Sequence, residues 1–247
     1  MRSEQLLQFK KDLEEFHISL SGEQIDQFIR YYELLIEKNK VMNLTAITEF
    51  GEVLKKHFVD SLSLVTVCDL NDVLSVIDVG TGAGFPGIPL KIVFPGLRLT
   101  LLDSLQKRIG FLQEVVEELN LHDVRAVHGR AEDFARPELF RESYDLCLSR
   151  AVANLSVLSE YCLPYVKLGG KFVSYKSEKV SMESDHKQTE AAQAEHAILV
   201  LGGKLVEQKG FMLPNSDIYR NLIVIEKCRS TPKQYPRKAG TASKKPL

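Results

Sequence analysis

Residues 78–92 read DVGTGAGFPGIPLKI, a glycine-rich turn between a short apolar run and a helical pattern. Gly80, Gly82 and Gly84 allow the backbone to turn sharply and to approach a ligand, because glycine has no Cβ. Pro86 suits the first turn of the helix that follows, whose N-terminal N–H groups point at such a ligand. The stretch therefore predicts a strand, a loop that binds a nucleotide-like cofactor, and a helix.

Short β-branched runs alternate with longer helical patterns between residues 73 and 176. This alternation is typical of βαβ units around a parallel sheet. The last two runs, at 202–213 and 221–227, are too close together for a helix between them, which predicts an antiparallel hairpin. The predicted fold is α/β and Rossmann-like, with a mostly parallel seven-stranded sheet whose first five strands lie at 73–79, 98–103, 124–128, 144–149 and 171–176.

Asp103 ends the second run, where its carboxylate can accept hydrogen bonds from ribose hydroxyls. The loop also satisfies the G-x-G-x-x-G pattern of dinucleotide folds, and Tyr175 with Lys179 matches a Y-x-x-x-K pair for hydride transfer. That second match is expected by chance in this composition. Asp78, two places before the glycines, and the terminal hairpin favour S-adenosylmethionine, whose amino-acid part needs charged partners. A class I methyltransferase is favoured, while an NAD-dependent oxidoreductase and a non-catalytic RNA- or nucleotide-binding protein remain alternatives.

The chain before the predicted sheet is helical in pattern. Ser21 and Gln24 can form a capping box, and apolar residues then recur at helical spacing as far as Ile36. A second helical stretch, predicted over 50–67, carries His57 and Asp60. We expect three regions: an N-terminal helical extension over 1–67, a Rossmann-like methyltransferase domain over 68–228 and a basic C-terminal tail over 229–247.

The composition, 44% hydrophobic and 26% charged with a net charge of -1, is that of a globular protein. No apolar run approaches the ~18 residues of a membrane span, and the first residues lack a signal-peptide pattern. We therefore expect a cytoplasmic protein that does not bind membranes, and a monomer, although the sequence leaves the oligomeric state open. The cysteines lack C-x-x-C spacing and predict buried free thiols, at Cys68, Cys147, Cys162 and Cys228.

Several blocks together match one family pattern. They include Asn43-Leu44-Thr45, His57 with Asp60-Ser61-Leu62, the glycine loop, Leu101-Leu102-Asp103-Ser104, HGRAED at 128–133, SRAVA at 149–153 and Tyr235-Pro236-Arg237-Lys238. The chain resembles the family of the bacterial methyltransferase G of small-subunit ribosomal RNA, also called glucose-inhibited division protein B. The matching blocks run from about residue 39 to the last residue. One departure is Ala242, where the pattern leads us to expect proline.

The resemblance implies methyl transfer from S-adenosylmethionine to N7 of one guanine in 16S rRNA. The substrate it implies is 16S rRNA, the 30S subunit or an assembly intermediate. It also implies cofactor contacts at Gly80, Phe85, Ala131, Glu132 and Arg150, in addition to those predicted above at Gly82, Gly84 and Asp103.

Guanine N7 carries an exposed lone pair, so it can attack a methyl group without first losing a proton. The chain contains neither the Asn-Pro-Pro-Tyr type signature of amine methylation nor a Pro-Cys nucleophile. The sequence therefore predicts catalysis by positioning and assigns no catalytic residue. His57 and Asp60, one helical turn apart, are candidates for the target-base pocket. A structural pair is the main alternative, and a metal site lacks a third ligand.

The last 21 residues contain seven basic side chains and no acidic one. Tyr235 lies among them, a mixture suited to stacking on bases and neutralising phosphates. A solvated tail is the alternative. If the tail acts only on RNA, its deletion is expected to spare cofactor binding. The candidate RNA contacts are Asn43, Lys176, Arg220, Lys233, Tyr235, Arg237 and Lys238.

Overall fold

Seven strands form a single sheet in the order β3-β2-β1-β4-β5-β7-β6. The computed structural model describes residues 2–71, 73–150, 153–177 and 189–247. The first five strands are parallel, whereas β7 is antiparallel to both β5 and β6, which confirms the predicted α/β sheet with a terminal hairpin. The strands are β1 (Ser75–Val79), β2 (Arg98–Asp103), β3 (Val124–His128), β4 (Tyr144–Arg150), β5 (Val166–Lys176), β6 (Gly203–Met212) and β7 (Tyr219–Lys227).

The helices cover both faces of the sheet and the N-terminal region. Strands β2 and β3 have the predicted bounds, whereas β5 begins earlier than predicted because its first residue, Val166, pairs with Tyr144 before a register shift. The helices are α1 (Arg2–Glu14), α2 (Gly22–Met42), α3 (Phe50–Val53), α4 (Asp60–Leu62), α5 (Gly87–Val93), α6 (Gln106–Glu118), α7 (Ala131–Phe134), α8 (Leu155–Cys162), α9 (Glu190–Val200) and α10 (Thr241–Lys244).

The stretch predicted as one helix over 50–67 changes its hydrogen-bonding pattern along its length. A π-helical turn, Leu54–Val59, lies between α3 and α4, and a 3₁₀ turn, Ser63–Thr66, follows. Such π turns inside helices are rare and occur frequently at functional sites. His57 lies in this turn.

The N-terminal helices share their core with the sheet. Phe58 of the π turn contacts Phe28 and stacks on Tyr31, both from α2, and all three side chains are buried. The predicted capping box starts α2, since the Ser21 hydroxyl accepts from Gln24 N and the Gln24 amide oxygen accepts from Ser21 N. One contiguous cluster of buried side chains joins these helices to the strands, so the extension is packed on the sheet.

Residues 229–247, predicted as an appended tail, are packed against the sheet domain. The Arg141 guanidinium donates to the backbone carbonyls of Thr231 and Tyr235 at 2.6 and 2.7 Å. Ala242, in α10, is 1% exposed. The segment is therefore a folded part of the molecule, although its charge pattern is that of a solvated end.

The cysteines differ from the prediction at one position. Cys68, Cys147 and Cys162 are buried free thiols, whereas Cys228 is exposed because it follows the last residue of β7. Within the ranges described above, no helix is long and apolar enough to cross a membrane.

Candidate functional site

The glycine loop follows β1 and packs against α2. Gly80 and Gly84 have φ values of 72° and 103°, a region that favours glycine. A Cβ at Gly84 would lie 2.7 Å from the Tyr31 hydroxyl, which donates a 2.5 Å hydrogen bond to Ala83 O. Gly84 is therefore needed for the close approach of α2. Elsewhere in the loop, Gly82 N–H donates a hydrogen bond of 2.9 Å to Asp103 Oδ2.

Asp78 shapes this loop from inside the protein. Its Oδ2 accepts hydrogen bonds from the Thr81 hydroxyl at 2.7 Å and from Gly87 N at 2.9 Å. Burial raises the pKa of this carboxyl group to about 6. Its Oδ1 is buried and has no hydrogen-bond partner among the described residues. The side chain is fully buried, so its contacts are with the loop.

Asp103 lies at the carboxyl end of β2 and is 3% exposed. In addition to the hydrogen bond from Gly82 N, the carboxylate accepts one of 2.9 Å from Leu105 N through Oδ1. Arg108, which is not among the predicted site residues, donates to Oδ2 through Nη1 at 3.1 Å. These three donors fix the orientation of the Asp103 side chain at the rim of the sheet.

Two cavities open on either side of Asp103. The first, of about 370 Å³, brings together the predicted residues Gly80, Asp103, Ala131 and Glu132. The second, of about 390 Å³, brings together Gly80, Gly82, Phe85, Asp103, His57 and Arg150. Gly80, Asp103 and Ser104 line both. The carboxyl ends of β1, β2 and β4 thus form one continuous binding region, as expected for an open parallel sheet.

Arg150, at the end of β4, organises the second cavity. Its guanidinium carbon lies 5.0 Å from the centre of the Phe85 ring, within cation–π range. The Phe85 ring is stacked on the His57 ring at 4.6 Å. Arg150 Nη1 donates to Asp60 Oδ2 at 2.9 Å, and its Nη2 lies 3.3 Å from His57 Nδ1. The predicted His57 and Asp60 pair is thus bridged by Arg150.

Asp60 is 3% exposed and binds two arginines. Arg220 Nε donates to Oδ1 at 2.7 Å, while Arg150 occupies Oδ2. A buried carboxylate with two charge-assisted partners is strongly oriented. Arg220, predicted as a phosphate contact, is therefore a partner of Asp60, and the strand-end position from which the prediction was made does not reveal this.

The protonation state of His57 follows from its neighbours. Burial first, and then the positive charge of Arg150, lower its pKa to about 3. Because a guanidinium can only donate, Nδ1 accepts from Arg150, and Nε2–H donates to the Thr45 hydroxyl at 2.9 Å. The imidazole is neutral and both of its nitrogens are hydrogen-bonded.

The remaining candidate RNA contacts fall into two groups, those already bound to a carboxylate and those at the surface with no such ion pair among the described residues. Lys176 forms an ion pair of 2.7 Å with Glu190, and Arg237 forms one with the buried Glu160. Lys233 and Lys238 are exposed. Tyr235 is half-buried, and its backbone carbonyl accepts from Arg141. Asn43 is exposed and ends α2 in the left-handed conformation at φ 49°.

The described structure does not support the Tyr175–Lys179 pair for hydride transfer or a metal site. Tyr175 is 2% exposed and donates to Ser61 O at 2.8 Å, while Lys179, its predicted partner, lies outside the described residues, as do Ala151 and Val152 of the matched family blocks. Within the described parts of the chain, no group of three or more His, Cys, Asp and Glu side chains could hold a metal ion.

Comparison with known proteins gives one consistent result. The model of the family described as rRNA small subunit methyltransferase G matches residues 24–209. The ribosomal RNA small subunit methyltransferase G of Alkaliphilus metalliredigens is 52% identical over 247 residues, covering 100% of both chains. The protein of the same name from Bacillus cereus is 50% identical, covering 97% of this chain and 98% of its own.

Solved structures share the fold at low sequence identity. A chain from the Haloferax volcanii complex of the Trm112 methyltransferase activator with a methyltransferase has a TM-score of 0.56 at 16% identity, covering 80% of this chain and 98% of its own. A SAM-dependent methyltransferase from Aquifex aeolicus has a TM-score of 0.50 at 16% identity, covering 70% and 92%. At these identities the likeness concerns the fold alone.

Proposed function

Because the chain belongs to the rRNA small subunit methyltransferase G family, it is an rRNA methyltransferase dependent on S-adenosylmethionine, and we propose that it methylates N7 of one guanine in 16S rRNA. The observation that carries this proposal is the second cavity, where Arg150, Phe85 and a neutral His57 meet beside the glycine loop. From the rRNA substrate we also infer that the protein acts in the cytoplasm, on the 30S subunit or a precursor of it.

The residues around Asp103 fit the nucleoside part of the cofactor. The Asp103 carboxylate has four lone-pair sites and already accepts from Gly82 N and Leu105 N, so ribose hydroxyls can take the position of Arg108. Arg108 is one-third exposed and can turn towards solvent. The first cavity adds the apolar Leu102, Leu105 and Ala131, a surface suited to the faces of an adenine ring.

The second cavity fits the reacting end of the cofactor and the target base. S-adenosylmethionine supplies a methyl group on a positively charged sulfur. Arg150 offers a guanidinium that can bind a carboxylate or a base edge, and Asp60 holds it in place. Phe85 and His57 present stacked rings beside it. These side chains can orient their ligands, and positioning of this kind supplies most of the rate when no proton has to be removed.

The state of His57 supports guanine N7 as the acceptor atom. A general base needs a free nitrogen lone pair, and the only lone pair of this imidazole, on Nδ1, faces the Arg150 guanidinium. Its pKa of about 3 also makes it a weak base. Guanine N7 needs no base, because its lone pair is already available.

We propose that the exposed basic side chains near the cofactor region bind RNA phosphates. Lys233 and Lys238 are the strongest of the predicted candidates, because Lys176, Arg220 and Arg237 are engaged by Glu190, Asp60 and Glu160. Asn43 and Tyr235 remain candidates at the surface. The proposed substrate is 16S rRNA in the small subunit.

The test is incubation of the pure protein with methyl-labelled S-adenosylmethionine and either undermethylated 16S rRNA or 30S particles, followed by nucleoside analysis. We expect label in 7-methylguanosine. Label in any other nucleoside contradicts the proposed acceptor atom. Thermal unfolding in the presence of S-adenosylhomocysteine or NAD separates the cofactor classes, because only a ligand that binds the folded state raises the melting temperature.

A further inference from the structure

The C-terminal segment, residues 229–247, reaches the first cavity. Gly240 and Ser243 line this cavity, as do Asp103 and Tyr161 of α8. Gly240 N–H donates a 2.8 Å hydrogen bond to Glu132 Oε1, and Glu132 is 8% exposed. The last residues of the chain thus form one side of the space into which the nucleoside part of the cofactor fits.

A buried ion pair anchors this segment outside the cavity. Glu160 of α8 is 1% exposed, and it accepts from Arg237 N at 2.8 Å, from Nε at 3.0 Å and from Nη2 at 2.5 Å. Hydrogen bonds between charged groups in this forked geometry are the strong and directional ones. The hydrogen bond to Glu160 raises the pKa of the Arg237 guanidinium.

Further contacts hold the start of the segment. Arg141 donates to the carbonyls of Thr231 and Tyr235, and Glu142 accepts from Thr231 N at 2.7 Å. Thr231 and Ala242 are nearly fully buried, at 4% and 1% exposure. Hydrogen bonds and buried side chains therefore hold the segment against the rest of the protein from the end of β7 to α10.

We propose that residues 229–247 form a wall of the cofactor site, and that Glu132, Glu160 and Arg237 are positioning residues that hold this wall. The proposal rests on the proposed function, since the first cavity is taken to bind the nucleoside part of S-adenosylmethionine. It reassigns Glu132, whose side chain holds Gly240. It also reverses the expectation from the charge pattern that the tail acts on RNA alone and that its deletion spares the cofactor.

The experiment measures S-adenosylhomocysteine binding by calorimetry, in parallel with the melting temperature of the ligand-free protein. Truncation after Ala239 removes Gly240 and Ser243 but keeps the Arg237–Glu160 pair. Arg237→Met removes the ion pair with Glu160 that holds the wall, and Arg237 itself does not line the cavity. Each change removes hydrogen bonds that position the wall, and we expect each to weaken binding about tenfold or more. Arg98→Met is the matched control, because Arg98 is exposed at the start of β2 and lines neither cavity, and we expect the affinity of this variant to stay within about twofold.

Wild-type affinity in the truncated protein would overturn the proposal. A full-length chain that does not bind S-adenosylhomocysteine would instead contradict the proposed function. If either variant melts near room temperature, trypsin treatment of the intact chain decides. The ligand should slow cleavage after Lys238 and Lys244, two exposed lysines on either side of Gly240 and Ser243 in the chain, because the bound segment opens less often. Equal cleavage rates with and without ligand would show that the wall does not contact it.

Discussion

The carboxylate of Asp60 accepts a 2.9 Å hydrogen bond from the guanidinium of Arg150, although 90 residues separate the two in the chain. Asp60 lies at the start of α4 in the N-terminal region, whereas Arg150 ends β4 in the sheet. The ion pair joins the N-terminal helices to the carboxyl edge of the sheet at the second cavity.

Asp60→Asn is expected to lower the rate of methyl transfer and the stability of the protein. The change leaves Arg150 and Arg220 without their shared anion, and breaking a buried pair costs about 3–5 kcal/mol. Thermal unfolding and single-turnover methylation measure the two effects. Asp26→Asn, at an exposed position on α2, is the control. Unchanged turnover in Asp60→Asn would show that Arg150 is positioned without this carboxylate.

Arg150→Ala is expected to reduce methyl transfer about a hundredfold, as removal of one positioned donor does elsewhere. The fold should persist, because Asp60 keeps Arg220 as a partner. Arg150→Lys should recover only part of the loss, since an ammonium group lacks the planar fork. Turnover is measured with 30S particles, next to the melting temperature of each variant. Full activity in Arg150→Ala would exclude a role in the site.

Asp103→Asn is expected to weaken S-adenosylhomocysteine binding by about 1.5–3 kcal/mol, because a charge-assisted hydrogen bond to ribose becomes a neutral one. Calorimetry gives the affinity directly. Asp217→Asn, at an exposed position in the hairpin turn, is the control. If both variants bind as the wild type does, the ribose does not contact Asp103.

His57 makes the stability of the protein depend on pH in a defined direction. Its pKa falls from 6.5 to about 3 on folding, so between these values the unfolded chain binds more protons. The free energy of unfolding therefore decreases as the pH falls below 6.5, by at most about 1.4 kcal/mol per pH unit from this group. Above pH 6.5 the contribution is constant.

Urea unfolding from pH 7 to pH 5 measures this dependence. His57→Gln should flatten the pH dependence, while His122→Gln, at an exposed position, should not change it. Identical slopes in the wild type and His57→Gln would mean that folding does not lower the pKa of His57.

Lys233 and Lys238 are expected to bind RNA phosphates. Replacement of both by alanine should weaken RNA binding and reduce the slope of log affinity against log salt by about 0.7–0.9 per lost contact, because fewer counterions are released. Filter binding of 16S rRNA across a salt series gives the slope. Cofactor affinity should not change, since neither lysine lines the first or the second cavity. Parallel slopes would place the RNA elsewhere.

Local patterns in the sequence were sufficient for the fold and the cofactor loop. Strand periodicity, the glycines and the short connection before β7 act over a few residues, and the matched blocks identify the family. The predicted strands and hairpin therefore agree with the sheet, and Gly80, Asp103 and Arg150 lie at its carboxyl edge as expected. Positions of this kind can be predicted because parallel strands present their ends on one side.

Which charges are paired depended on the tertiary structure. Arg237 reads as a basic tail residue, but it is bound to Glu160, and Arg220 reads as a strand-end cation, but it is bound to Asp60. No local pattern predicts that Tyr31 lies under the loop or that Gly240 forms part of the cavity wall. Each of these contacts joins segments far apart in the chain, and only the packing of the folded core brings them within hydrogen-bond distance.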